Sequence, residues 1–99
     1  MQKLSVANEL LSKNKHIGKL LASESVDILN IQLASGEKIP THNSPDVAII
    51  IVRKGEVIFN VEGVEHKLCA EDLLVFEPLE NHSLEAITEV DILVLKIRS

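Results

Sequence analysis

GEKIPTHNSPDVAIIIVRKG, residues 36–55, is the stretch whose reading decides the fold. It leaves a turn at Gly36, passes His42, and climbs from Val47 to Val52 through unbroken apolar residues before turning again at Gly55. A short apolar run bounded by turn residues suits a strand covered on both faces. Pro40 has no amide to donate, so Ile39 to Asn43 suits a strand edge or entry. Ser44-Pro45-Asp46 is a turn signal. A comparable arrangement returns at AEDLLVFEPLENHSLEA, residues 70–86, where an apolar run meets Pro78 and then His82.

Beyond Gly55, Val57, Phe59 and Val61 share a face, and Glu62-Gly63 is a hairpin signal. Val64, His66 and Leu68 alternate with Glu65 and Lys67. Ser83 to Ile87 and Asp91 to Ile97 read as two further strands, separated by a turn near Thr88-Glu89. Before Gly36, Val26 to Ala34 is a strand with Leu29, Ile31 and Leu33 opposite Asn30 and Gln32. Lys19 to Ser23 is a brief one, and His16 falls in a surface connection. Leu4, Ala7, Leu10 and Leu11 stand at helical spacing, with Asn14 as a stop, which predicts a short N-terminal helix. The expected organisation is a helical lead over residues 1–16 and one β-domain over residues 17–99. About eight to ten short strands, with turn signals every ~8–12 residues, indicate an all-β sandwich or barrel.

The chain has 99 residues, room for one hydrophobic core. Its net charge of -5, without a basic cluster, speaks against nucleic acid and anionic membrane surfaces as partners. Aromatic residues make up 2%, with no Trp or Tyr, so base-stacking platforms are missing. No apolar run approaches the ~20 residues needed to cross a bilayer. The single cysteine, Cys69, reads as a small buried residue and fits a reducing compartment. A soluble, cytoplasmic protein is expected.

The two histidine stretches resemble the two motifs of the cupin family, small jelly-roll barrels. Gly36, the five residues EKIPT, His42 and Gly55 fall in register with the first motif. Asp72, the run LLVF, Pro78 and His82 fall in register with the second, followed by HSLEA. The resemblance implies a cupin-type double-stranded β-helix from about Val26 to Ile97. Metal-binding members draw three histidines and a glutamate from these motifs. Here Ser44 occupies the second histidine slot and Ala48 the glutamate slot. Glu71 and Leu79 stand where the second motif has glycines.

His42 and His82 are therefore the candidate metal ligands, with Asp46 or His66 as additional donors, and His42, Ser44 and His82 the candidate small-molecule ligands. Catalytic zinc takes three protein ligands, and the non-haem iron triad takes two histidines and a carboxylate. With two of four ligand positions lost, the reading expects no resident cofactor and a small-molecule binding or sensing module. A divalent metal at His42 and His82, in an oxygenase- or isomerase-type enzyme, is the alternative. Strands apolar on both faces, Val26–Leu33 and Asp91–Ile97, predict a homodimer.

Overall fold

A computed structural model describes residues 1–98 of the chain. Nine strands follow one another: β1 (Lys15–Ala22), β2 (Val26–Leu33), β3 (Lys38–His42), β4 (Val47–Lys54), β5 (Glu56–Val61), β6 (Val64–Cys69), β7 (Leu73–Phe76), β8 (His82–Ala86) and β9 (Val90–Ile97). They form two antiparallel sheets, one ordered β1-β2-β9-β4-β7 and the other β3-β8-β5-β6. The all-β double-stranded arrangement expected from the sequence is the one observed. Among the described residues no helix is long and apolar enough to cross a membrane.

Alternation sets what each sheet buries. In β4 the inward set is Ala48, Ile50 and Val52; in β9 it is Val90, Ile92 and Val94; in β5 it is Val57 and Phe59, all buried. Leu33, Val57, Phe59 and Ile92 are wholly shielded from solvent and fill the space between the sheets with Phe76. Six-residue apolarity in β4 has a different meaning from the one expected. Its inner face is core, but Val47, Ile49 and Ile51 on the outer face are only half-buried.

The predicted N-terminal helix is not formed: residues 1–14 hold no helix or strand, and β1 already begins at Lys15. The physical reason lies in where the backbone finds partners. The Gln32 side chain accepts from the Glu9 amide (2.9 Å) and donates to the Ala7 carbonyl (2.7 Å). Asn8 accepts from the Leu10 amide through its own side chain, an alternative to helical pairing. A helix this short is marginal in water, and the side chain of Gln32 offers a non-helical path two bonds instead. Gln32 is itself buried and donates to Asn30 Oδ1, and Asn30 donates to Asp91 and to the Ile92 carbonyl. That network ties the leading segment to the outer side of the large sheet. His16 lies in β1, opposite Gln32, and not in a connection.

Cys69 is exposed, contrary to the expectation of burial. Leu68 takes the inward position of β6, so the next residue points out. Asp72 accepts from the Cys69 amide at 2.8 Å and lies 3.4 Å from Sγ. Its hydrogen bond and its charge push the thiol's pKa up, which makes this a poor nucleophile.

Three left-handed positions carry side chains that disfavour them, Glu62 at φ 49° in the β5–β6 turn and two in the second motif. Glu71 has φ 81° and Leu79 φ 67°, the positions where the second motif has glycines. The family's backbone path is kept although the glycines are not. An L-residue in this region costs roughly 1–2 kcal/mol, partly offset by glycine's larger loss of freedom on folding. Leu79 is largely exposed, so its side chain contributes little packing. Leu79→Gly is therefore expected to stabilise the fold by about 0.5–1 kcal/mol, a rise of about 3–6 °C in Tm by calorimetry. A fall in Tm would show that Leu79 packs against something.

Candidate functional site

β3 is the edge of the smaller sheet, the position that suits Pro40. Ile39 pairs with Leu84 on β8, but the register slips by one before His42 pairs with His82. A slip of one residue exchanges the faces of a strand. Without it Thr41 would follow Ile39 inward; with it His42 does. The bulge around Pro40 thus sets two histidines, forty positions apart in sequence, directly opposite each other.

Their rings meet edge to face with centroids 4.2 Å apart. The His82 ring also stacks on Phe76, 4.1 Å between centroids and 10° from parallel. Each imidazole is oriented by its own backbone: His42 Nδ1 lies 2.9 Å from the Pro40 carbonyl, and His82 Nδ1 lies 3.0 Å from that of Glu80. A carbonyl only accepts, so Nδ1 carries the proton and Nε2 keeps its lone pair in each neutral ring.

Both rings line a cavity of about 140 Å³ that opens at the barrel mouth. Its walls are apolar, with Leu29, Ile31, Ile50, Phe59, Phe76, Leu84 and Val94 among them; its polar groups are His42, Ser44, His82 and Lys96. Ser44 and Ala48 are both present in the lining, as their register with the first motif implies. Asp46 is not. Pro45 interrupts the strand, and the Asp46 amide turns back to Ser44 Oγ at 3.3 Å. His66 is also outside the cavity, opposite Phe59 on β6 at the far edge of the smaller sheet.

The residue that sequence reasoning missed is Lys96. It continues the inward alternation of Val90, Ile92 and Val94 on β9, and its register partners are Ala48 on β4 and Asp27 on β2. That alternation was legible; its consequence depended on knowing that β9 sits between β2 and β4.

The donors do not fit a resident metal. Two imidazoles face the cavity, but the neighbouring positions hold a serine hydroxyl, the methyl of Ala48 and an ammonium group. Among the described residues no three His, Cys, Asp or Glu side chains gather where an ion would sit. A lysine in the same lining adds electrostatic repulsion to the shortage of ligands.

Burial depresses the pKa of His82, and the nearby charges of His42 and Lys96 act in the same direction; the Glu80 carbonyl and carboxylate oppose them. The unfolded chain then binds a proton at His82 more readily than the folded one. Stability is full above the ordinary histidine value of 6.5 and falls as pH drops from there through the folded pKa. Urea midpoints are expected to decline between pH 7.5 and pH 5, and His82→Gln to remove that part of the decline. A flat profile would contradict this. A separate window lies lower: the hydrogen bond and charge of Arg98 hold Asp27 at about 2 against an ordinary 3.8. That contribution is present above 3.8 and is lost as pH falls through about 2.

Comparison with known proteins accords with this architecture. The cupin domain family model matches residues 30–97, and the chain belongs to that family. An uncharacterized protein of Methanocaldococcus jannaschii is 34% identical over 67 residues, 68% of this chain; the match spans 58% of that relative's length. The crystal structure of an RmlC-like cupin from the same organism superposes with a TM-score of 0.83 at 24% identity, covering 98% of this chain and 92% of that one. A cupin superfamily protein from Desulfitobacterium hafniense gives a TM-score of 0.84 at 16% identity, covering 99% and 100%. These structures show the shared fold.

Proposed function

We propose that this cupin-domain protein binds a small organic molecule at the barrel mouth and that the site is not a metal centre. The observation that carries this reading is the cavity itself: an apolar space open at the barrel mouth, with two backbone-oriented imidazoles, one hydroxyl and one ammonium in its lining. A cavity of ~150 Å³ lined by Leu, Ile and Phe is large enough for benzene, so the occupant's apolar body is of single-ring size. Polar groups gathered at one end of an apolar pocket fix a ligand's orientation.

The test is a titration of methyl-labelled protein with nitrobenzene, followed by NMR. Shifts confined to methyls that line the cavity, those of Leu29, Ile31, Ile50, Leu84 and Val94 among them, are expected. Silence of those methyls toward both nitrobenzene and benzoate, up to the solubility of each, would contradict the reading.

The working unit of this reading is a homodimer in a reducing, cytoplasmic compartment, the setting that a lone free cysteine suits. The large sheet's outer face supports the dimer, since Ile28, Ile49, Ile51, Leu93 and Leu95 are half-buried and Leu73 and Val75 exposed, without a charge among them. The partner is a second copy, because an uncharged apolar patch is complementary to itself across a two-fold axis. Analytical ultracentrifugation is expected to show a dimer at micromolar concentration, and Ile49→Asp to convert it to monomer. A monomer at all concentrations would remove the dimer from the account.

A further inference from the structure

We infer that the ligand is a small monocarboxylate, whose apolar body fills the cavity and whose carboxylate pairs with Lys96 and Ser44 at its mouth. The inference rests on the reading of the mouth as an organic-ligand site, and adds the charge and chemical class of what enters.

The chain as a whole is acidic, with a net charge of -5. The cavity reverses that sign. Lys96 lines it, and no carboxylate does. The nearest acidic register partner, Asp27, is already engaged: Arg98 lies 3.1 Å from its Oδ2 and Lys19 lies 3.6 Å away. Among the described residues Lys96 itself has neither an ion pair nor a side-chain hydrogen bond. An ammonium on the inward face of a strand, half-buried beside apolar walls and without an internal counter-ion, is a site for an external anion.

Ser44 supplies a second point of attachment. Its Oγ accepts from the Asp46 amide, which leaves the hydroxyl proton free to donate toward the cavity. One cation and one hydroxyl match the two oxygens of a carboxylate. A phosphate would bring more charge than a single lysine neutralises and would leave the apolar walls without an occupant.

The experiment compares benzoate with nitrobenzene, which has the same shape and no net charge, by methyl NMR titration at pH 7.5. Wild-type protein is expected to bind benzoate at least tenfold more tightly. Lys96→Met, with its fold verified by the same spectra, is expected to bring the two affinities within twofold. Raising salt from 20 to 500 mM is expected to erode the benzoate preference of the wild-type protein, since a mouth-level pair is screened. Equal wild-type affinities for the two probes would overturn the carboxylate inference and leave the organic-ligand reading standing. A preference that survives both Lys96→Met and high salt would overturn the role of Lys96. Binding of neither probe would overturn both.

Discussion

Gly55→Ala is expected to destabilise the protein by about 2–5 kcal/mol, a large part of the ~5–15 kcal/mol that holds a domain of this size together. Two effects add. Gly55 has φ 85°, in the left-handed region, where a side chain costs roughly 1–2 kcal/mol. A Cβ placed there would also collide with the Glu89 carbonyl oxygen. That atom belongs to backbone, so relief requires the β4–β5 and β8–β9 turns to move apart, at a cost of about 1–3 kcal/mol. The turns are already joined, because the Ile87 amide donates to the Glu56 carbonyl (2.9 Å) and Lys54 pairs with Glu89 (2.6 Å). Gly36→Ala is the control: its φ is 84°, but a Cβ there meets nothing within 4 Å. It should cost only the conformational part. Equal losses in urea denaturation for the two variants would show that the contact with Glu89 is unimportant.

Phe76→Ala is expected to cost a similar 3–5 kcal/mol, as large aromatic truncations in cores do. Phe76 is almost wholly buried, tilted against Phe59 with centroids 5.7 Å apart, and stacked on His82. Its removal has a second consequence that Phe59→Ala lacks. It takes away the face that shields His82 from water, so the pKa of His82 should rise toward its ordinary value and the stability decline below pH 6.5 should shrink. Urea denaturation at pH 7.5 and pH 5, on both variants, separates the effects. If Phe59→Ala and Phe76→Ala change the pH dependence equally, the stacking does not govern His82.

How much of this was legible in the sequence differs from element to element. Gly36, Gly55 and Pro78 marked turns between strands, because turn residues and strand alternation are local properties, whereas His42 and His82 were singled out by the resemblance to the family's two motifs. The apposition of His42 and His82 was not legible, since it depends on a bulge in β3, which parity counting does not detect. Lys96 was missed for a related reason. The alternation of β9 points it inward, but only the neighbours of β9 in the sheet make that position part of the mouth. The leading segment misled because Leu4, Ala7, Leu10 and Leu11 have helical spacing, while the partners that hold its non-helical path belong to Gln32, in another part of the chain. Cys69 misled because its apolar neighbours suggested burial, whereas strand parity, which assigns Leu68 inward, predicted the opposite. In each case a non-local partner decided what a local pattern left open.

The central claim is that the mouth serves an organic molecule and lacks the ligands of a metal centre. Its most direct test is calorimetric titration of chelator-treated protein with Zn²⁺, Fe²⁺ and Mn²⁺. With two imidazoles, a serine and a lysine in the cavity, the account predicts no one-to-one site tighter than about 10 µM, because tight sites take at least three protein ligands. Stoichiometric binding below that level, abolished by both His42→Ala and His82→Ala, would contradict it.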